Sequence, residues 1–241
     1  MDTKLTGKTR IESDLIGARE IPAEALYGVQ TLRGIENFSI SKFRLSEYPL
    51  FIKGLAITKM AAAMANFELG LLTVEQKDAI IAACGEIIDG KHHDQFPVDM
   101  IQGGAGTTTN MNANEVIANR ALELMGHERG EYQYCSPNDH VNCSQSTNDA
   151  YPTAIHIGMY FKHLQLLPHL EELIASFRKK GEEFSRIIKM GRTQLEDAVP
   201  MTLGQTFNGF ASILQDEIAH LNEAAADFLV VNMGATAIGT G

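Results

Sequence analysis

The chain has 241 residues, of which 44% are hydrophobic and 21% are charged, and its formal net charge is −10 at pH 7. This composition supports one or two domains with a substantial core and excludes a disordered polyampholyte. The acidic balance argues against a nucleic-acid partner and against an anionic membrane surface, so an anionic substrate would need a site that attracts it locally.

Cysteine usage and the N-terminus indicate a cytoplasmic protein. Cys84, Cys135 and Cys143 are odd in number and form no Cys-x-x-Cys pair, which indicates reduced thiols. The N-terminus has no apolar stretch of signal-peptide length. We find no run of about 18 apolar residues, so no membrane span is expected.

Helical patterns dominate the chain after a short β arm. Residues 10–26 alternate loosely and are broken by Gly17 and Pro22, which predicts one or two short strands or an extended arm. Helices are predicted over about 46–69, 73–90, 110–125, 148–184 and 201–230. The second of these opens with a capping box, Thr73-Val-Glu-Gln76. Pro168 lies inside the fourth and predicts a kink or a break.

The predicted fold is mainly α. We expect an N-terminal α domain with a short β arm over residues 1–146, followed by the first long helices of a central helical bundle over residues 147–241. The apolar stripes of the last two helices exceed what two helices can cover for each other, so partner helices are expected. The Gly-rich ending, Gly234–Gly241, has no closing element after it, and we expect a longer protein.

The first of three polar loops, Gln102–Asn112, is rich in glycine. Glycines allow positive φ angles and a close approach of a ligand, and the hydroxyls of Thr107, Thr108 and Thr109 then open a helix. A helix N-terminus favours an anion. Helix capping by these threonines is the alternative. A P-loop is not indicated, because the Lys-Ser/Thr ending and a preceding apolar strand are missing.

The second and third polar loops flank the longest predicted helix. Ser144–Asp149 carries more neutral hydrogen-bonding side chains than one cap requires, so we predict that it binds a carboxylate. An ordinary cap by Ser146 or Thr147 is the alternative. Gly191–Pro200 contains an Arg-Thr-Gln stretch that could meet an anion, but on its own it reads as an interhelical loop.

Other single residues receive structural interpretations. His92 and His93 lack a further ligand at a typical metal spacing, so no metal site is predicted. Cys143 lies beside the second polar loop, but nothing near it in the sequence supplies the base that a nucleophilic thiol needs.

These three loops, in this order and between long helices, resemble the fumarase/aspartase superfamily over essentially the whole chain. Further matching motifs are Arg10–Asp14, Tyr27–Thr31, Gly103–Thr107, Asn138–Asn142, Ser146–Asp149 and Gly191–Thr193. Within the superfamily the sequence is similar to the aspartase branch. Gln194-Leu195, Ala150 and Gly234-Ala-Thr-Ala237 stand where class II fumarases typically have His-Thr, Thr and Gly-Gly-Thr-Ala.

The resemblance implies the elimination of ammonia from L-aspartate to give fumarate through an aci-carboxylate intermediate. It implies substrate contacts at Thr107, Ser146, Thr147, Asn148, Thr193 and Gln194. Donors at these positions would stabilise the intermediate as an oxyanion hole does. Arg33 is given a structural or anion-binding role. No organic cofactor and no catalytic metal is implied.

The resemblance also implies what this chain lacks. The family's general base is a serine on a loop downstream of these residues, so we expect no catalytic base here and no activity from residues 1–241 alone. Active sites would be assembled between subunits of a homotetramer that binds a small dicarboxylate. Two alternatives remain: a class II fumarase, and a non-catalytic scaffold that assembles with a partner carrying the missing loop.

Overall fold

The computed structural model describes residues 7–102 and 104–236, and it confirms a mainly α protein with two small sheets. Gly103 and residues 237–241, which belong to the first polar loop and to the Gly-rich ending, lie outside the described residues. The chain divides into two compact units, one formed by residues 7–159 with 231–236 and the other by Tyr160–Val230. The domain boundary placed at residue 146 from the sequence stays a prediction.

The first unit combines a β-hairpin with a group of helices. Its complete elements are β1 (Thr9–Asp14), β2 (Gly17–Pro22), α1 (Val29–Asn37), α2 (Pro49–Glu68), α3 (Val74–Ile88) and α4 (Thr107–Leu124). The predicted β arm is an antiparallel hairpin in which Asp14 pairs with Gly17. A further helix, α5 (Thr147–Glu183), begins in this unit. Between α4 and α5 the chain forms turns and a short π-helical segment at Pro137–Val141.

Local signals fix several helix ends as predicted. At the start of α3, Thr73 Oγ1 accepts the Gln76 N–H at 3.2 Å, and Gln76 Oε1 accepts the Thr73 N–H at 3.1 Å. Gly90 follows α3 with a φ of 91°, a conformation that glycine adopts without strain. Helix α4 begins at Thr107 rather than near residue 110, because Gly106 takes the N-cap position with a φ of 95°.

The core of the first unit lies between α2, α3 and α4. Its large buried side chains include Ile52, Leu55, Ile80, Ile87, Val116, Ile117 and Leu122. By length and composition, α2 could cross a membrane, with a mean hydropathy of 1.3 over 18 residues, which corrects the expectation that no segment has this character. Buried core helices pass the same test, and α2 packs against α3 with nine of its residues buried.

The second unit contains the remainder of α5, followed by β3 (Ile188–Thr193), β4 (Glu196–Thr202), α6 (Leu203–Ala225) and a short 3-10 helix at Ala226–Leu229. Helix α5 continues through Pro168, so the predicted break is wrong; one proline removes a single hydrogen bond from a helix of 37 residues. Several large apolar side chains of α5 and α6 are exposed, including Leu166, Leu173, Phe210 and Ile213.

The third polar loop differs most from its prediction. It forms an antiparallel β-hairpin, in which β3 pairs with β4 from Ile188 opposite Thr202 to Thr193 opposite Glu196. A register shift lies between Met190 and Arg192. The interpretation as an interhelical loop was wrong because both strands are short and mostly exposed, which leaves little hydrophobic alternation to detect.

Candidate functional site

The N-terminus of α4 is shaped by three consecutive residues with positive φ. These are Gly104 at 74°, Ala105 at 50° and Gly106 at 95°. Thr107 follows as the first helical residue; it is exposed, and its Oγ1 donates to Gly104 O at 2.6 Å. Because the N-cap is Gly106, no threonine hydroxyl serves as the cap of α4. Thr107 therefore lies at an accessible helix N-terminus, where backbone N–H groups favour an anion.

Thr109 has a structural role in the same turn. Gln102 Oε1 accepts the Thr109 N–H at 2.8 Å, and Gln102 Nε2 donates to Thr109 Oγ1. Thr109 is buried. These two bonds fasten the glycine-rich loop to the first turn of α4. Thr107, unlike Thr109, is therefore accessible to a ligand.

The N-terminus of α5 is capped by a reciprocal pair. Ser146 Oγ accepts the Asn148 N–H at 3.2 Å, and Asp149 Oδ1 accepts the Ser146 N–H at 2.9 Å. The capping alternative is therefore correct for Ser146. The cap uses the hydroxyl oxygen as an acceptor, so the hydroxyl proton can still donate to a carboxylate. Asn148 is exposed in the same turn.

A side-chain bridge joins the two helix N-termini. Asn110 Nδ2 donates to Thr147 Oγ1 at 3.2 Å and to Asn142 Oδ1 at 3.1 Å. Asn110 is on the first full turn of α4, so the structure brings the turn of Thr107 next to that of Thr147 within one unit. Because Thr147 Oγ1 accepts this bond, its hydroxyl proton is still able to donate to a carboxylate.

A buried lysine lies behind this pair of helix N-termini, and the sequence interpretation missed it. Lys59 on α2 has 0% of its surface exposed, and its Nζ donates to Asn142 Oδ1 at 2.8 Å. The same oxygen accepts from Asn110 and, at 3.2 Å, from Asn114 Nδ2. Burial lowers the pKa of Lys59 to about 7, and the negative charge of buried Asp149 opposes this shift.

A sequence signal for this lysine exists. Leu55, Ala56, Ala62 and Ala63 are buried at helical spacing, and Lys59 falls on the stripe that they define. A lysine on an apolar helix face is unusual, because burying an ammonium group costs free energy unless it is paired. In a chain with a net charge of −10, this group supplies positive charge close to the α4 and α5 N-termini when it is protonated.

Thr193 and Gln194 belong to the second unit, where they lie at the tip of the β3–β4 hairpin and are exposed. The turn residues Gln194 and Leu195 have φ angles of 49° and 66°. Two-residue hairpin turns with two positive φ angles normally use Asn and Gly. Strained backbone at residues of this kind is concentrated at functional sites.

Arg33 has a structural role. Its Nε and Nη2 atoms donate to the two carboxylate oxygens of Asp14 at 2.8 Å each, and Nη2 also donates to Gly17 O at 2.8 Å. The hydrogen bonds from Arg33 lower the pKa of Asp14. The guanidinium therefore fastens α1 to the turn of the β1–β2 hairpin.

The cysteines and the paired histidines have structural surroundings. All three cysteines are described and are free thiols. Burial raises the pKa of Cys84 and of Cys135 to about 12, so both stay protonated at neutral pH. His92 Nε2 lies 2.8 Å from Glu86 Oε2, and His93 Nε2 lies 2.9 Å from Ile87 O.

Comparison with known proteins identifies the family. The family described as "Lyase" matches residues 17–241. The chain belongs to this lyase family. The predicted membership of the fumarase/aspartase superfamily is thereby confirmed. Among curated relatives, the chain is 59% identical to the aspartate ammonia-lyase of Pseudomonas canavaninivorans over 233 residues, which cover 96% of this chain and 49% of the relative.

Other relatives and solved structures to which the chain is similar are also lyases or fumarases. The aspartate ammonia-lyase of Escherichia coli K12 is 56% identical over 238 residues, which cover 98% of this chain and 50% of the relative. A Brucella melitensis fumarate lyase:delta crystallin, solved with cobalt, has a TM-score of 0.93 and 55% identity, over 97% of this chain and 51% of that one. A class II fumarase from Schistosoma mansoni has a TM-score of 0.89 and 38% identity, over 97% and 49%. The chain spans about half the length of the curated relatives it matches.

Proposed function

We propose that the complete protein is an aspartate ammonia-lyase, which reversibly eliminates ammonia from L-aspartate to give fumarate. The observation that carries the proposal is the identity of 56–59% to curated aspartate ammonia-lyases over nearly the whole chain. The class II fumarase of known structure is less similar, at 38%. Gln194-Leu195, where fumarases typically have His-Thr, supports the same choice.

The proposed mechanism uses this chain to hold the substrate carboxylates. A base supplied by a segment outside residues 1–241 removes the Cβ proton of L-aspartate, negative charge develops on the β-carboxylate, and ammonia leaves from Cα. Thr107, Ser146, Thr147 and Asn148, together with Thr193 and Gln194, are the proposed substrate contacts. Each oxyanion donor of this kind is typically worth about 10²–10³-fold in rate.

The hydrogen bonds around Thr147 support its role as a donor. Its Oγ1 accepts from Asn110 at 3.2 Å, and Asn110 shares the Asn142 oxygen with buried Lys59. The hydroxyl proton of Thr147 is able to donate to a substrate oxygen while Oγ1 accepts from Asn110. The N-termini of α4 and α5 add partial positive charge at the same place, which favours an anion whose charge increases during the reaction.

The complete protein is further proposed to be a cytoplasmic homotetramer. The exposed apolar side chains of α5 and α6, such as Leu173 and Phe210, support burial against further helices. Residues 1–241 alone are proposed to lack activity, because the base is expected downstream. Fumarate formation from aspartate by purified residues 1–241 would contradict this part of the proposal.

The proposed reaction is tested with the complete protein. L-Aspartate and L-malate are supplied separately, and fumarate is measured by ultraviolet absorbance while ammonia is measured by a coupled assay. We expect fumarate and ammonia in equal amounts from aspartate and no fumarate from malate. Turnover of malate without ammonia release would make the protein a fumarase, and turnover of neither substrate would favour a non-catalytic scaffold.

A further inference from the structure

Helix α1 is fastened at its N-terminus by buried carboxylates from two other elements. Glu115 on α4 accepts the N–H groups of Gly28 at 2.8 Å, Gln30 at 2.7 Å and Thr31 at 3.0 Å, and also the Thr31 hydroxyl at 2.6 Å. Glu12 on β1 accepts the Val29 N–H at 3.1 Å. A helix N-terminus leaves four N–H groups without a partner inside the helix. In α1 all four donate to carboxylate oxygens.

This arrangement leaves α1 little freedom to move relative to α4. Glu115 is 2% exposed and Glu12 is 5% exposed, and charge-assisted bonds of this kind are among the stronger hydrogen bonds in proteins. Gly28 permits the approach, because a Cβ there would lie 2.6 Å from Glu12 Oε2 and 2.8 Å from the Glu115 carboxyl. A carboxylate at this position, when ionised, also suits the positive end of the helix dipole.

The next turns of α1 lie directly against the first turn of α4. Gly34 is buried, and a Cβ built on it would overlap Thr108 Cγ2. Thr108 is the neighbour of Thr107, the proposed substrate contact. The absence of a side chain at Gly34 therefore fixes how closely α1 approaches the turn that carries Thr107. A Cβ added at position 34 would overlap Thr108 Cγ2, so either the Thr108 side chain or the turn that carries it would have to shift.

The N-terminal turn of α4 also packs closely against α5. A Cβ on Gly106 would lie 2.5 Å from the Tyr151 ring, which itself packs edge-on against Phe51 with the ring centroids 5.4 Å apart. The N-terminal turn of α4 thus has one fixed neighbour on each side, α1 through Gly34 and α5 through Tyr151. In closely packed surroundings such a turn cannot yield without moving its neighbours.

We propose that Gly34 is a positioning residue for the substrate, acting through Thr108 to set the location of Thr107, with Glu115 holding α1 at the distance this requires. The inference rests on the proposed function and adds to it a residue that touches no substrate atom. A displacement of about 1 Å at a binding or catalytic group can cost about 10²-fold in activity. The contact between Gly34 and Thr108 is specific to one methyl group, which makes it separable by mutation.

The test is a double-mutant cycle in the complete protein with Gly34→Ala and Thr108→Ser. Serine removes the Cγ2 atom that an alanine Cβ would meet, and it keeps the hydroxyl. We expect Gly34→Ala to raise KM for L-aspartate about tenfold with a smaller change in kcat. In the Thr108→Ser background the same change should raise KM by no more than about twofold. The inhibition constant of succinate, an unreactive dicarboxylate, should follow KM.

Gly85→Ala is the matched control, because Gly85 is a helical glycine on α3 whose added Cβ would meet no atom within 4 Å. It should leave kcat/KM within about twofold. Equal effects of Gly34→Ala in the two backgrounds would overturn the proposal. If the parent protein turns over malate and not aspartate, the proposed function fails and the cycle is measured with malate.

A second variant covers the case in which Gly34→Ala does not fold. Glu115→Gln keeps the size of the side chain but replaces one acceptor oxygen by a donor, which loosens α1 without a steric overlap. It should raise KM with or without Thr108→Ser, since no methyl contact is involved. An unchanged KM in folded Glu115→Gln protein would show that α1 does not position the turn of Thr107.

Discussion

Four of the proposed substrate contacts lie on helix N-termini in the first unit, whereas Thr193 and Gln194 lie on an exposed hairpin turn in the second. The helix N-termini are held by hydrogen bonds among Asn110, Asn142 and Lys59, of which Asn110 and Lys59 are buried. The hairpin turn is held by its backbone register and has two residues with positive φ. The comparison indicates that the first unit preorganises its donors through its own core, while the turn relies on local backbone conformation.

The largest expected effect tests the helix side of this comparison. Thr147→Val keeps the shape of the side chain and removes the hydroxyl, so the proposed donor to the developing negative charge is lost. We expect kcat/KM for L-aspartate in the complete protein to fall about 10²–10³-fold. Thr73→Val is the matched control: Thr73 only caps α3, and its loss should cost about 1 kcal/mol of stability without lowering kcat/KM. Equal losses of activity would show that the Thr147 hydroxyl acts through stability and not through the substrate.

The buried lysine gives a pH-dependent prediction. Its folded pKa of about 7 is below the ordinary 10.5, so between these values the unfolded chain binds more protons and the unfolding free energy rises with pH. Glu115 has its pKa raised to about 7 by burial, so it titrates below this window with the opposite slope. From pH 7 to pH 9 the contribution of Lys59 is at most about 2.7 kcal/mol.

Lys59→Met removes this titration while filling a similar volume. We expect the melting temperature of the variant to fall behind that of the parent as pH rises from neutral to alkaline, when both are measured in one buffer series. A constant difference in melting temperature between variant and parent would mean that Lys59 stays protonated across the whole series. Its pKa in the folded protein would then be higher than about 7. Lys53 on the same helix is half-buried, and Lys53→Met is the matched control.

The hairpin side of the comparison predicts a smaller effect on activity. Thr193→Val removes a hydroxyl from an exposed turn whose side chains lack a buried hydrogen-bond network. We expect kcat/KM to fall about tenfold, less than for Thr147→Val, because an exposed donor is less preorganised. Steady-state kinetics on both variants under the same conditions decide the order. A larger loss for Thr193→Val would reverse the comparison.

The smallest expected effect concerns the strain in the hairpin turn. Leu195 has a φ of 66° and is 97% exposed, so Leu195→Gly relieves the conformation and removes no packing. We expect a change of about 1 kcal/mol or less in stability, in the stabilising direction, measured by thermal unfolding. A rise in KM for L-aspartate in the same variant would show that the rigid turn helps to position Thr193 and Gln194.

Much of the fold follows from local sequence signals. The capping box at Thr73, the helix stop at Gly90 and the apolar periodicities act over a few residues, and the helices they predicted are present. The third polar loop was predicted wrongly, because its strands are short and exposed and their pairing depends on register rather than on composition. The loops at Thr107 and Ser146–Asn148 were recognised from their glycines and dense donors, which are also local.

The sequence by itself determined the helical architecture, the lyase family and the loops proposed to bind the substrate. Only the tertiary structure decided what stands behind those loops. Lys59 meets Asn142 across 83 residues of chain, and Thr31 meets Glu115 across 84. No local pattern encodes such contacts, because they form only when separate helices pack and their buried polar groups must find partners in each other.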